Sequence, residues 1–312
     1  MNGANQNIVA LCGGVGGAKL AYGLNRVLGE KLTVVVNTGD DFEHLGLAIS
    51  PDLDTVVYTL GELADEDRGW GRAEESWHFM ESLAGLAGET WFRLGDRDLA
   101  LHVLRSHALR SGATLTEFTT KLASHLKIQA RILPMSDDPF PTVVVTAGGR
   151  LPFQRYFVEL QAQPEVLSIE FDNHRGGVAT DEVLEAIGAA EAIIVCPSNP
   201  YLSIDPILAV PGILPALEAT KAPIVAVSPL VGGRAIKGPT AKIMNEIGVA
   251  TNCTSIARHY PFLTGLVMDR ADQAEAAQIE IPVHVTDTIM RSKADRVQLA
   301  AECHKFLDHF KS

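Results

Sequence analysis

The chain has 312 residues, room at roughly 100–200 residues per domain for one large or two modest domains, which excludes a small disulfide scaffold. Its 38 acidic and 26 basic residues leave a net charge of −12, a field that repels a phosphate backbone and argues against a nucleic-acid binder. The 46% hydrophobic content excludes a disordered chain, and no apolar run reaches the roughly 20 residues of a membrane helix.

The polar start Met1-Asn2-Gly3-Ala4-Asn5-Gln6-Asn7 has neither the basic flank nor the apolar core of a signal peptide, so a cytoplasmic location is expected. Ile8-Val9-Ala10-Leu11-Cys12 is a short apolar run of the kind a buried strand shows. It ends in Gly13-Gly14-Val15-Gly16-Gly17, ahead of a helical pattern over 18–28. Residues 32–36 read as a second strand, giving a βαβ unit with parallel strands and the glycine turn at their carboxyl edge. A helix follows over 55–63. Between 61 and 163 the pattern changes to helices over 73–86, 98–110 and 116–126, then a hairpin of strands over 142–146 and 153–160 across Gly148-Gly149-Arg150. The alternation returns with strands over 192–196 and 224–228, each running into a turn, and further strands over 266–269 and 283–285. Residues 293–310 carry the spacing of an amphipathic closing helix. The expected fold is a single interleaved α/β body. Its doubly wound, Rossmann-like, mainly parallel sheet comes from residues 1–60 and 164–312, with 61–163 as a helical and hairpin insertion over the carboxyl edge, where ligands of such folds bind.

The glycine turn with Lys19 behind it has the features of an anion site, because no side chain blocks close approach and the following helix points amide donors outward. A tight structural turn is the plain alternative, and the spacing is neither GxxxxGK[ST] nor a standard dinucleotide fingerprint. Asn37-Thr38-Gly39-Asp40-Asp41 and Pro51-Asp52-Leu53-Asp54 place four carboxylates and an amide just past a strand end. That density of hard oxygen ligands suits Mg²⁺, with Asp40 and Asp54 as ligands and Asp52 as a helix cap. Leu94-Gly95-Asp96-Arg97-Asp98 reads either as an internal ion pair or as a substrate clamp. Pro197-Ser198-Asn199-Pro200 and Ser228-Pro229, with Lys237-Gly238-Pro239, are rigid polar turns of the kind that bind ligands. The ten histidines show no metal spacing, and His44 alone lies close in sequence to the aspartate loop. The four cysteines are far apart with no CxxC pair, so neither a zinc site nor a disulfide framework is expected.

Taken together, GGVGGAK, NTGDD, PDLDT with YTLGEL, RGWG, WFRLGDRDLA, LPMSDDP, FQRYFV, CPSNPYLSIDPILAVPG and VSPLVGGRAIKGP occur in the order seen in one family. From the glycine turn to about Asp272 the chain resembles the 2-phospho-L-lactate transferases of deazaflavin coenzyme F-420 biosynthesis. That resemblance implies a Mg²⁺-dependent transfer of a phospho-acid from a guanosine diphospho-linked donor to the ribityl hydroxyl of the deazaflavin FO, releasing GMP. It implies metal-binding roles for Asp40 and Asp54. It also puts Gly13, Gly14, Gly16, Gly17, Ser198, Asn199, Ser228, Gly233 and Lys237 in the phosphate and guanosine motifs, with Lys19 and Asn37 beside them, and Asp41, Asp96 and Arg97 near the reacting centre. The implied partners are these two small molecules and, at most, a second copy of the chain. Two departures from the family pattern leave the donated acid open between phospholactate, a phosphoenolpyruvate-derived group and phosphoglycerate. They are Asp205, where glycine is usual, and the stretch Phe171-Asp172-Asn173-His174-Arg175-Gly176-Gly177. The alternative reading is a regulatory protein of the same fold that binds a nucleotide sugar without chemistry.

Overall fold

A computed structural model describes residues 6–310 of the chain; most of the polar start, residues 1–5, lies outside the described residues. Strand β1 (Ile8–Cys12) passes straight into helix α1 (Gly14–Leu28) and on to β2 (Leu32–Val36). A short hairpin of β3 (Phe42–His44) and β4 (Leu47–Ile49) precedes α2 (Pro51–Leu60), followed by α3 (His78–Gly85), α4 (Asp96–Arg110) and α5 (Leu115–His125). Next come β5 (Arg131–Pro134), β6 (Thr142–Thr146), β7 (Gly149–Pro152) and β8 (Ser168–Phe171). The second half runs through α6 (Asp181–Gly188), β9 (Ala192–Val195), α7 (Asp205–Ala209), α8 (Ile213–Ala219) and β10 (Ile224–Val227). A small hairpin of β11 (Leu230–Val231) and β12 (Arg234–Ala235) leads to α9 (Thr240–Glu246), α10 (Cys253–His259), β13 (Gly265–Asp269), β14 (Val283–Thr286) and α11 (Lys293–Leu307).

Seven strands form the central sheet in the order β14-β13-β10-β9-β1-β2-β5, and every pairing is parallel. Parallel strands are covered by helices on both faces, which is why β1 reads as an uninterrupted apolar run. Ile8, Ala10 and Cys12 enter the core with α1, α2 and α11, while Val9 and Leu11 enter the core on the opposite face. The chain winds outward from β1 through β2 to β5, then returns to start β9 on the other side of β1. The topological switch point therefore lies between β1 and β9, where ligands of doubly wound folds bind.

The doubly wound sheet agrees with the expectation, and several local readings are corrected. Residues 73–77 are not helical, because Glu74 adopts a left-handed backbone (φ 55°) and Glu75 serves another helix. Its carboxylate accepts from the Arg97 and Asp98 amides at 2.7 and 2.8 Å, at the start of α4. Asp96 returns the same service to α3, accepting from the His78 and Phe79 amides at 3.1 and 3.0 Å. The hairpin partner of β6 is Gly149–Pro152, and the expected strand over 153–160 instead coils into a wide turn over Arg155–Glu159. Within 61–163, β5 pairs with β2 as the edge of the central sheet, so the sheet draws on that segment too. Among the described residues no single helix is long and apolar enough to cross a membrane. The segments Pro200–Ala209 and Ile213–Ala219 reach that length only together and across an 85° bend, and their Ile204, Ile207, Ile213 and Leu217 are core residues.

Candidate active site

The turns after β1, β2, β9 and β10 stand side by side at the carboxyl edge of the sheet, as the parallel topology requires. The Ser198 hydroxyl donates to the Gly13 carbonyl at 2.7 Å and accepts from the Gly13 amide at 3.2 Å, bolting the β9 turn to the β1 turn. Ser198 is thus satisfied by the protein itself. Asn199 accepts from the Tyr201 and Leu202 amides at 3.0 and 3.1 Å and so starts the wide turn over Pro200–Ile204, while its buried Nδ2 has no partner.

The glycine turn is built for contact between turns. A Cβ on Gly13 would lie 2.6 Å from Asp52 Oδ2, one on Gly16 would lie 2.5 Å from the Pro197 carbonyl, and one on Gly17 would strike the Ser198 hydroxyl. Gly14 has φ +64°, a conformation that favours glycine. The anion at the head of α1 is the protein's own. Asp52 accepts from Asn37 Nδ2 at 2.9 Å and is hydrogen-bonded by the Gly14 amide and the Ser203 hydroxyl, although burial still lifts its carboxyl to about 6. A carboxylate at a helix N-terminus is favoured by the exposed amides and the dipole. Asp52 therefore completes α1 across the sheet edge and does not cap its own helix; Ser50 precedes α2 and makes no side-chain cap.

Asn37 Oδ1 accepts from the Gly39 amide at 2.8 Å and shapes the loop that carries Asp40 and Asp41. Asp40 is 4% exposed. Its only side-chain donor among the described residues is Gln154 Nε2, 3.4 Å from Oδ2, and its Oδ1 is buried without a partner. Asp41 accepts from the Ser50 hydroxyl at 2.6 Å through Oδ2, and its Oδ1 too is buried and bare. Burial pushes both carboxyls well above the usual range; Asp52, Asp41 and Asp54 push Asp40 further, whereas Ser50 and Arg105 act the other way on Asp41. Two bare buried carboxylate oxygens on consecutive residues are unstable without a proton or a cation.

Asp54 has a different setting. Both its oxygens are taken by Arg105, a bidentate pair in which Nη1 lies 3.2 Å from Oδ2. Arg105 is 1% exposed and is the guanidinium at the centre of this acidic region. Burial opposes its charge and Asp54 more than restores it, so it stays charged. His102 Nδ1 lies 3.7 Å from Asp54 and its Nε2 lies 3.3 Å from Asp98, whose other oxygen receives the Tyr58 hydroxyl. Asp54, Asp98 and His102 offer three ligand atoms within 4.8 Å of one another, with Arg105 already inserted among them. His102 and Arg105 escaped the sequence reading, which met Asp98 only within the Leu94–Asp98 motif, although their i, i+4, i+7 spacing on α4 puts all three on one helix face.

The remaining sequence candidates fall outside this cluster. Asp96 is spent on the α3 amides, and Arg97 is half-exposed and paired with Glu74 at 2.6 Å. Ser228 is buried and bonded to the Leu230 amide at 3.2 Å and to Cys253 Sγ at 3.3 Å. The Gly233 amide, with that of Gly232, is held by the Asp272 carboxylate at 3.1 and 2.9 Å. Lys19 and Lys237 line a solvent-open cleft beside the first turns of α1 and α2. His44 packs among Phe42, Trp91 and Phe92 rather than on the aspartates, with a centroid distance of 5.2 Å to Trp91. Asp205 neither caps α7 nor stands free, because both its oxygens meet His259 Nε2, at 2.8 and 3.0 Å. In the second departure, Asp172 closes locally onto His174 at 2.8 Å on the surface. All four cysteines are buried and free.

Residues 8–303 match the family described as 2-phospho-L-lactate transferase CofD. The phosphoenolpyruvate transferase of Streptomyces griseus is 40% identical over 296 residues, covering 90% of this chain and 93% of that protein. The 2-phospho-L-lactate transferase of Methanosarcina mazei is 39% identical over 298 residues, covering 94% and 98%. A crystal structure of a Bacillus halodurans protein of the UPF0052 family superposes with a TM-score of 0.61 at 16% identity, over 95% of this chain and 99% of that one, a likeness of fold.

Proposed function

Because the chain belongs to the 2-phospho-L-lactate transferase family of coenzyme F-420 biosynthesis, we propose that it transfers a phospho-acid from a guanosine diphospho-linked donor to the ribityl hydroxyl of FO, releasing GMP. The hydroxyl oxygen attacks the phosphorus that bears the acid and gives its proton to a neighbouring carboxylate, the bond to the bridging oxygen of the diphosphate breaks, and GMP leaves with that oxygen. The observation that carries this reading is the pair of bare, buried Oδ1 atoms on Asp40 and Asp41 at the carboxyl edge of β2.

Those oxygens fit a divalent cation such as Mg²⁺, and Asp40 and Asp41 are the residues that would hold it; when bound it supplies charge against the diphosphate. Asp54, expected from the resemblance as a ligand, is committed to Arg105, so its part is to keep that guanidinium in place beside the carboxylates. The Asn37 amide, through Asp52 and Gly39, fixes the loop on which Asp40 and Asp41 sit. Burial around the loop keeps bulk water from the attacked phosphorus, and such preorganisation is where most of the rate in group transfer arises. The relatives' names divide between phospholactate and phosphoenolpyruvate, and the donated acid is accordingly the quantity to measure.

The test offers FO with each guanosine-linked donor and follows product mass. Asp40→Asn removes the charge while keeping the size, and turnover should fall by at least about 100-fold, the scale of losing one electrostatic contact to a transition state. Near wild-type turnover of this variant at limiting Mg²⁺ refutes its role as a ligand.

A further inference from the structure

The wall beside the carboxylate loop is one continuous piece of chain, the wide turn over Pro200–Ile204 running into α7. It meets the loop and its neighbours repeatedly. The Leu202 carbonyl accepts from Asn37 Nδ2 at 3.3 Å, the Ser203 hydroxyl is bonded to Asp52, and Pro206 packs so closely on Gly39 that a Cβ there would lie 2.9 Å from the proline's own. Thr142 presses on the same spot, its hydroxyl 2.6 Å from where that Cβ would be and its amide donating to the Gly39 carbonyl at 2.7 Å. Asp40 is the next residue, so a shift of α7 reaches the bare carboxylate directly. Close-packed interiors transmit such shifts rather than absorb them.

Asp205 carries the only polar side chain of α7, and it is bonded to another element altogether. Both its oxygens are taken by Nε2 of His259, the last residue of α10 and 54 positions further on. The rings of Tyr201 and Tyr260 meet the imidazole edge-on at 4.9 and 4.8 Å and hold its orientation. Burial, then the Asp205 charge, raise the pKa of both phenols, so they stay neutral beside the pair. Helix α10 is itself anchored at its other end: the Cys253 amide donates to Glu275 at 2.7 Å, and Asn252 caps the helix through the Ser255 amide at 2.8 Å. A helix as short as α7 has too few internal hydrogen bonds to fix its own place. Ile207 holds it to the core, but apolar burial is non-directional, whereas a hydrogen bond sets distance and angle. Glycine, usual at position 205 in the family pattern, could make no such tie.

We propose that Asp205 and His259 are positioning residues of the active site: their tie fixes α7 on α10, and α7, through Pro206 and Gly39, fixes where Asp40 and Asp41 hold their oxygens. The consequence for cation binding and turnover rests on the transferase reading; the consequence for the loop does not.

The test is hydrogen exchange, read by mass spectrometry on the full-length protein in EDTA, with calorimetric titration of Mg²⁺ alongside. The Gly39 and Asp41 amides are bonded to Asn37 Oδ1 and the Thr38 carbonyl, and that of Thr142 to the Gly39 carbonyl. In Asp205→Ala these amides should exchange about 10-fold faster, the scale of one lost hydrogen bond, while those of α1 and α11 keep their rates. Mg²⁺ should bind about 10-fold more weakly for the same reason. His259→Phe, which keeps a ring against both phenols, should do the same, and the double variant should be no worse than either single, because all three break one tie. His259→Gln, which keeps a donor, should restore most of the protection and affinity. Loop exchange at the wild-type rate in Asp205→Ala overturns the proposal, as does protection lost evenly over the whole chain, the mark of a merely structural tie. His259→Gln as impaired as His259→Phe also overturns it. If His259→Phe fails to fold around a stranded carboxylate, Asp205→Ala, which leaves only a partly exposed imidazole, keeps the test decisive. Wild-type protein that binds no Mg²⁺ and transfers nothing to FO refutes the transfer reading, and the exchange rates still judge the tie, so the two fail separately.

Discussion

Replacing Arg105 by Met keeps most of the volume of that side chain but strips the buried acidic region of its central cation. Asp54 then loses both hydrogen bonds to the guanidinium, and Asp41 loses the favourable charge that offsets Asp54 and Asp52. Breaking a buried pair from one side costs about 3–5 kcal/mol, because the remaining charge has no water to return to. At roughly 2–4 °C per kcal/mol for chains approaching this size, the melting temperature at pH 8 should fall by about 6–20 °C. Asp54→Leu alone should cost a similar amount by stranding the guanidinium. The double variant should recover most of the loss, since well-packed apolar residues in place of a buried ion pair are often neutral. The assay is urea unfolding of wild type, both single variants and the double variant in EDTA. A loss below about 1 kcal/mol in Arg105→Met, the range of an exposed ion pair, refutes the assignment of Arg105 as the charge that holds this site together.

Further outcomes follow from the same geometry. Gly16→Ala would drive a methyl group to 2.5 Å from the Pro197 carbonyl and should cost about 1–3 kcal/mol by overpacking, read as a shift in the urea midpoint. Glu75→Ala uncaps α4 and should cost about 0.5–2 kcal/mol in the same assay. Because burial raises the folded pKa of Asp52 to about 6, above its unfolded value, its stabilising share is complete below the unfolded pKa and is lost as pH rises through about 6. The cation-free protein should therefore lose stability over that window. Asp52→Asn should flatten the profile, and a melting temperature that rises steeply from pH 4 to 7 in EDTA would contradict it. Mg²⁺ added at pH 8 should raise the melting temperature of wild type and not of Asp40→Asn, by the general linkage of ligand binding to folding.

The strands of the central sheet were legible because burial on both faces writes itself as short β-branched runs, and the glycine turn was legible because a Cβ has nowhere to go there. Edge strand β5 was not, because Arg131-Ile132-Leu133-Pro134 is too brief a run to stand out from the helix before it. Residues 73–77 carry helical composition, yet Glu75 gains more from the amides of α4 than from a turn of its own, a tertiary preference that no local pattern encodes. The carboxylates past β2 announced a charged site, but which of them are free and which are spent depends on partners far along the chain. Asp52 is consumed by Gly14 and Ser203, and Asp54 by Arg105, 51 residues away. The spacing of Asp98, His102 and Arg105 was readable in advance. Asp98 stood out in the charged run over Leu94–Asp98, but what hid His102 and Arg105 was the apolar company of Leu99, Leu101 and Leu104, which makes the segment look like an ordinary packed helix.

The bolt between Gly13 and Ser198 spans 185 positions in sequence, and this separation reaches into the birth of the molecule on the ribosome. At about 5–20 residues per second, roughly 10–40 s pass between emergence of the glycine turn and of the serine that locks it. Through that interval one flank of β1 has no neighbour, and an unpaired strand edge is a template for association with other chains. β1 and β2 can pair early, but Asp52 cannot be clamped by Ser203 until nearly two-thirds of the chain exists. The nascent polypeptide therefore carries its glycine turn and Asp52 without these partners for most of its synthesis.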